Sequence, residues 1–144
     1  MNLYLDASAL IKRYVAEAGS REVMEEVDRA AITCTSIISR AVVAAALARA
    51  ARTGSLKREA AVAALKAFRA DWPNLVRVQV TDSVVARADS LAWEYGLRGY
   101  DSVQLACASM WQDGMGERVK LATFDRQLWL SARRLGLEPF PDSL

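Results

Sequence analysis

The chain has 144 residues, of which 53% are hydrophobic and 25% charged, the balance of one soluble globular domain rather than a disordered chain. Nineteen basic and seventeen acidic side chains leave a net charge of only +2, so bulk charge by itself makes no case for nucleic acid. The absence of histidine excludes Ser-His-Asp and Cys-His nucleophile schemes and His-ligated zinc, so any catalysis must run on carboxylates and hydroxyls.

Residues 2–5 read as a buried first strand. Ser8 is placed to cap a short helix reaching about residue 17. Ala18-Gly19-Ser20 breaks it, and Ser20 opens a second helix through residue 29. Residues 31–34 form a short apolar run, a second parallel strand. A long Ala-rich helix follows over 37–53, Gly54 ends it, and Ser55 restarts a helix to about residue 70. Two helices joined by so tight a break form an antiparallel helical hairpin. Asp71-Trp72-Pro73-Asn74 is a turn. Residues 75–80 alternate like a half-exposed strand. Thr81 caps a helix to Tyr95, closed by Gly96. A loop over 97–100 leads into a helix from about Asp101 to Trp111. Residues 119–124 are a strand with Asp125 after it, a helix runs to about residue 135, and a short strand near 138–140 ends the chain.

Strands that alternate with helices and read as short apolar runs predict an α/β fold, a parallel sheet covered on both faces. No repeat, low-complexity tract or Pro/Gly/Ser-rich linker divides the chain, so 1–144 is expected to be one domain. No apolar run reaches the ~18–20 residues that span a bilayer, and no signal peptide is evident. Cys34 and Cys107 sit in apolar surroundings, as buried free thiols of a cytoplasmic protein do. Trp93, Trp111 and Trp129 are spaced for a core or for a partner surface.

The carboxylates carry the chemistry. In open parallel sheets, sites form beyond the carboxyl ends of the strands. Asp6 lies just past the first strand and Asp125 just past the strand ending at Phe124. Asp101 begins a helix after a Gly-bearing loop that opens onto the same rim. Each taken singly also reads as a helix-start residue favoured by the dipole. Ser8 and Thr123 read as capping or packing groups. If the three acids converge, their mutual repulsion demands a cation or raised pKa values. Mg²⁺ or Mn²⁺ suits an all-oxygen set and supplies polarisation of a phosphoryl oxygen and activation of water. Fifteen of the nineteen basic residues are Arg, whose planar fork matches phosphate, although genome composition produces the same bias.

Three stretches, Tyr4-Leu5-Asp6-Ala7-Ser8-Ala9-Leu10-Ile11-Lys12, then Leu97-Arg98-Gly99-Tyr100-Asp101-Ser102-Val103-Gln104-Leu105-Ala106, then Thr123-Phe124-Asp125-Arg126-Gln127-Leu128, resemble PIN-domain ribonucleases of the VapC toxin type. The resemblance covers nearly the whole chain. It implies a three-layer α/β/α sandwich with a central parallel sheet and a helical hairpin. It further implies an acidic Mg²⁺ or Mn²⁺ site at Asp6, Asp101 and Asp125, endonucleolytic RNA cleavage, homodimers, and a cognate antitoxin protein. Arg40, Arg98 and Tyr100 adjoin the rim as candidate substrate contacts, by phosphate pairing or base stacking.

One position departs from the family pattern. A Glu is usual early in the long helix, in the setting Ser39-Arg40-Ala41-(Glu)-Val43, and Val42 stands there. Val neither ligates a metal nor accepts a proton, so the departure implies weaker metal binding and a weakened or lost activity, unless another acid such as Glu25 or Glu26 compensates. A catalytically inactive relative that binds RNA or an antitoxin without cleavage is the competing reading. Phosphoacceptor signalling domains share only the class, and they usually carry a Lys where Asp125 ends its strand.

Overall fold

The computed structural model describes residues 1–144. Five strands form one all-parallel sheet: β1 (Asn2–Leu5), β2 (Thr33–Ser36), β3 (Val76–Val78), β4 (Val119–Ala122) and β5 (Glu138–Phe140), in the order β3-β2-β1-β4-β5. The helices are α1 (Ala7–Ile11), α2 (Ser20–Arg29), α3 (Ser39–Thr53), α4 (Arg58–Asp71), α5 (Asp82–Tyr95), α6 (Gly99–Met115) and α7 (Arg126–Arg134). The expected α/β sandwich with its helical hairpin, here α3–α4, is the observed fold.

Period-two alternation in β1 divides the core. Leu3 and Leu5 point to one face, where α1 to α4 supply Leu10, Val23, Val43, Leu47 and Phe68. Tyr4 points to the other, where α5, α6 and α7 supply Val84, Leu91, Leu105 and Leu128. All these side chains are buried, so β1 is covered on both faces. Phe68 packs edge-on against Tyr14 and Trp72, with ring centroids 5.4 and 5.5 Å apart.

The chain leaves β1 for β2 and β3 on one side, then crosses to β4 and β5 on the other. Strand order therefore reverses at β1, and the crevice past the ends of β1 and β4 is the topological switch point of the sheet. The register places Leu5 opposite Ala122, so Asp6 and Thr123 leave the sheet side by side. The Asp6 amide donates to the Ala122 carbonyl at 3.1 Å, extending the pairing into the crevice.

Boundaries shift in informative ways. Asp6, not Ser8, caps the first helix, because its carboxylate accepts the Ala9 amide, and that helix stops at Ile11 rather than near residue 17. Gly19 holds the N-cap position of α2 at φ 89°, where an added Cβ would meet the Phe124 ring at 2.9 Å. β2 lies two residues later than its apolar run, over Thr33–Ser36, and β3 is three residues long rather than six. The sixth helix starts at Gly99, so Tyr100 and Asp101 sit within its first turn, and it continues past Trp111 to Met115. Trp129 is buried and Trp111 packs against the core, whereas Trp93 is 92% exposed and so is a surface residue, not a core one. Cys34 and Cys107 are free and buried; burial pushes the Cys34 thiol up to about 12 and raises that of Cys107. No helix is long and apolar enough to cross a membrane.

A polar chain crosses the core beneath the crevice. Tyr4 donates its hydroxyl to Gln104 Oε1 at 2.6 Å, Gln104 Nε2 donates to Ser39 Oγ at 3.1 Å, and Thr35 Oγ1, 2.7 Å from Ser39 Oγ, donates to the Leu5 carbonyl at 2.7 Å. Every buried polar side-chain atom in the chain has a partner. Burial raises the Tyr4 phenol, with the neighbouring thiols adding to it, so the phenol keeps its proton and remains the donor. Tyr4→Phe leaves Gln104 Oε1 without that donor and is expected to cost about 1–3 kcal/mol in urea denaturation with an unchanged slope.

Candidate active site

Three elements bring three acids to the crevice. Asp6 follows β1, Asp125 follows β4 as the N-cap of α7, and Asp101 stands in the first turn of α6. Asp6 is buried. Its Oδ1 accepts Ser8 Oγ at 2.7 Å and the Ala9 amide at 2.9 Å, and its Oδ2 accepts Thr123 Oγ1 at 2.6 Å. Ser8 Oγ in turn accepts the Phe124 amide at 2.9 Å, and Thr123 Oγ1 accepts the Asp125 amide at 3.1 Å. The two hydroxyls thus lace the loop after β1 to the loop after β4. The sequence suggests capping or packing for Ser8 and Thr123; their cross-strand role becomes visible only once β1 and β4 are neighbours.

Asp101 and Asp125 are joined through one guanidinium. Arg98 Nε donates to Asp101 Oδ2 at 3.3 Å and Arg98 Nη2 to Asp125 Oδ2 at 3.1 Å. The Arg98 side chain is 76% exposed, so these pairs are solvent-screened and exchange readily. Asp125 Oδ1 is used separately, accepting the Leu128 amide at 2.9 Å. Capping and rim placement, alternatives in the sequence, are both met by Asp6 and by Asp125.

The electrostatics reflect burial first and neighbouring charge second. Burial raises the Asp6 carboxyl from 3.8 to about 6, against the lowering effect of its bonds to Thr123, Ser8 and Ala9, and the charge of Asp101 adds to the rise. Burial also raises Asp101, the Asp125 charge raises it further, and Arg98 pulls it down. Arg98 is the one cation paired with these acids.

No three Asp, Glu, Cys or His side chains converge closely enough, as they stand, to hold a metal ion. The donor set nevertheless suits a hard divalent cation: it is all oxygen, two of its three carboxyls are strained toward protonation, and Asp6 Oδ2 retains a lone pair beyond its bond to Thr123. Seating such an ion on Asp101 and Asp125 requires Arg98 to withdraw.

The other candidates fall differently. Tyr100, 71% exposed, flanks Asp101 on α6. Arg40 turns toward α4 with its guanidinium 6.0 Å from the Trp72 ring, and none of the hydrogen bonds to the three carboxylates comes from it. Val42 is half-buried on α3, one turn beyond Ser39, and offers only carbon. Neither compensating acid reaches the rim. Glu25 pairs with Arg21 and Arg29, and Glu26 with Lys120 at 2.8 Å, beside Met1 and Asn2 at the opposite end of the sheet.

The raised Asp6 carboxyl has a signed consequence for stability. Between the ordinary 3.8 and about 6 the folded chain holds a proton that the unfolded chain has released, so stability falls as pH rises through that window. In the presence of a chelator, the native chain is expected to lose on the order of 2–3 kcal/mol relative to Asp6→Asn between pH 4 and pH 7. Parallel urea titrations of the two proteins across that range check it; equal slopes with pH would refute the assignment.

Comparison with known proteins agrees with this architecture. A family model described as the PIN domain matches residues 3–133. Two curated proteins of Mycobacterium tuberculosis strains, Ribonuclease VapC45 and Ribonuclease VapC49, are each 32% identical over 142 residues, covering 99% of this chain and 96% of theirs. Among solved structures, a Pyrobaculum aerophilum protein superposes with a TM-score of 0.63 at 21% identity, covering 96% of this chain and 89% of its own. A chain of a toxin–antitoxin complex from Klebsiella pneumoniae superposes at 0.64 and 15% identity, covering 99% and 95%. With a family model spanning β1 to α7 and relatives aligned end to end, the chain belongs to the PIN-domain family.

Proposed function

We propose that this chain is a divalent-metal-dependent endoribonuclease and the toxin half of a toxin–antitoxin pair, built as one domain over residues 1–144. The observation that carries the reading is the meeting of Asp6, Asp101 and Asp125 at the switch-point crevice, with their charge only partly met by Arg98. The names of the curated relatives support the reaction, and the solved toxin–antitoxin neighbour supports the fold. A homodimer and an inhibitory antitoxin protein are the partners this reading carries, and RNA as substrate places the protein in the cytoplasm.

Asp6 and Asp101 would hold the ion, Mg²⁺ or Mn²⁺, with Asp125 as a third ligand or as acceptor from ion-held water. When bound, such an ion supplies a Lewis acid for the phosphoryl oxygen. The protein's own part is positional. Ser8, Thr123 and the Ala9 amide fix the Asp6 carboxylate in one orientation by three short hydrogen bonds. Arg98 balances Asp101 and Asp125 at rest, and once displaced it becomes a free guanidinium beside the scissile phosphate. Tyr100 offers an exposed ring for a splayed base, and Arg40 a phosphate contact farther from the acids.

Val42 favours a second reading, a PIN-fold protein that binds RNA or its antitoxin without cutting. RNA cleavage with Mn²⁺ or Mg²⁺, run side by side on the native chain and Val42→Glu with a chelator control, separates the two. The expected outcome is metal-dependent cleavage by both, at least about tenfold faster in the variant. Cleavage by the variant alone marks a ribonuclease disarmed at one position, and cleavage by neither, with RNA still bound, moves the assignment to the binding protein. Asp101→Asn is expected to lower the cleavage rate by 10²-fold or more in either background. Arg98→Gln is expected to tighten Mn²⁺ binding in calorimetry without RNA, since it removes the competing cation.

A further inference from the structure

Charge is unevenly distributed along the chain. The hairpin Ser39–Asp71 carries seven basic residues, Arg40, Arg49, Arg52, Lys57, Arg58, Lys66 and Arg69, against Glu59 and Asp71. Its net charge is therefore +5, and the remainder of the chain, with twelve basic and fifteen acidic residues, stands at −3. All seven cations are exposed, and none lies within ion-pairing distance of a carboxylate. Every ion pair in the molecule is made elsewhere.

Two further observations give this surface a direction. α3 begins directly after β2, so the hairpin is rooted beside the rim, and its helices of 15 and 14 residues extend for about 22 Å. At the root, a groove of about 670 Å³ runs between the helices, with Arg40 and Arg69 beside Ala41, Ala44 and Phe68. There Arg40 and Arg77 approach the Trp72 ring at 6.0 and 5.4 Å. The small Ala side chains along α3 keep the wall low, so an extended chain can lie close to the helix backbone.

We propose that the α3–α4 hairpin is a second, non-catalytic RNA-binding surface, a basic track that holds the single strand leading into or out of the crevice. It rests on the ribonuclease reading for its substrate class. The charge pattern favours a polyanion over a folded protein. Protein interfaces centre on large buried anchors, and Val62 is the only large hydrophobic side chain the hairpin exposes. The cations instead occur on both helices and around the tip, a layout suited to successive phosphates.

The test measures RNA binding apart from cleavage. Fluorescence anisotropy with a labelled 20-nucleotide oligo(U), in chelator, compares the native chain with a quadruple variant, Arg49→Gln, Arg52→Gln, Arg58→Gln and Lys66→Gln. All four sites are exposed, so the fold is retained, and circular dichroism checks it. Arg118→Gln with Arg133→Gln, exposed on the far side of the chain, is the control pair. The track predicts at least tenfold weaker binding by the quadruple variant at 100 mM salt. The slope of log affinity against log salt should shrink by about 0.7 for each removed cation that touches phosphate. The control pair should change affinity less than threefold. Unchanged affinity and slope in the quadruple variant, an equal loss in the control pair, or no oligo(U) binding by the native chain would overturn the proposal. Tighter binding of a poly-glutamate peptide than of oligo(U) would do so too, assigning the surface to an acidic protein segment. Failure of the ribonuclease reading looks different: RNA is bound through the hairpin, and no metal brings about cleavage.

Discussion

The buried carboxylate of Asp6 is the constraint on which the rest of the rim depends. It lies at the end of the central strand, where strand order reverses, and a charge in that position is costly unless it is satisfied. Three hydrogen bonds from Ser8, Ala9 and Thr123 satisfy it in part, and each also performs a structural task. The Ala9 bond starts α1. The Thr123 bond ties β1 to β4, and Ser8 repeats the tie through the Phe124 amide. The strongest structural need and the strongest chemical potential of the site are therefore one atom group. The raised Asp6 carboxyl is the residual cost of that arrangement, and a bound cation is its natural relief.

Around this fixed acid the other two are held more loosely. Asp101 and Asp125 are partly exposed and share Arg98, whose long side chain lies mostly in solvent. One carboxylate is thus rigidly held and two are adjustable. The Tyr4–Gln104–Ser39 chain beneath supports this, since it links β1, α6 and α3, the three elements that carry Asp6, Asp101 and Val42. A Glu at the Val42 position would add a fourth carboxylate to the rim. On the proposed function its absence would lower the rim's attraction for a cation.

Charge segregation is the larger-scale counterpart. The acidic remainder of the chain contains the crevice, and the basic hairpin stands beside it. On the proposed function, a polyanion guided by the hairpin would meet the rim carboxylates where a cation bridges the two, and its phosphates would compete with Asp101 and Asp125 for Arg98.

Much of this was legible in the residues. Thr81 with Gly96, and Gly54 between two Ala-rich stretches, define helices through local physics and appear where expected, whereas the apolar runs mark β2 and β3 only approximately. The acids also stand out locally, Asp6 and Asp125 just after strands and Asp101 at the start of a helix. What the chain order could not reveal is which strands become neighbours. The β1–β4 pairing turned Ser8 and Thr123 from caps into braces and placed Glu26 against Lys120, away from the crevice. Tertiary structure also decided that Arg98 is the counter-ion of Asp101 and Asp125 and that Arg40 faces Trp72, since a long flexible side chain goes where charge and space are found. Local sequence determines the elements and the chemistry they carry, whereas contacts between residues a hundred positions apart arise only when the sheet is assembled.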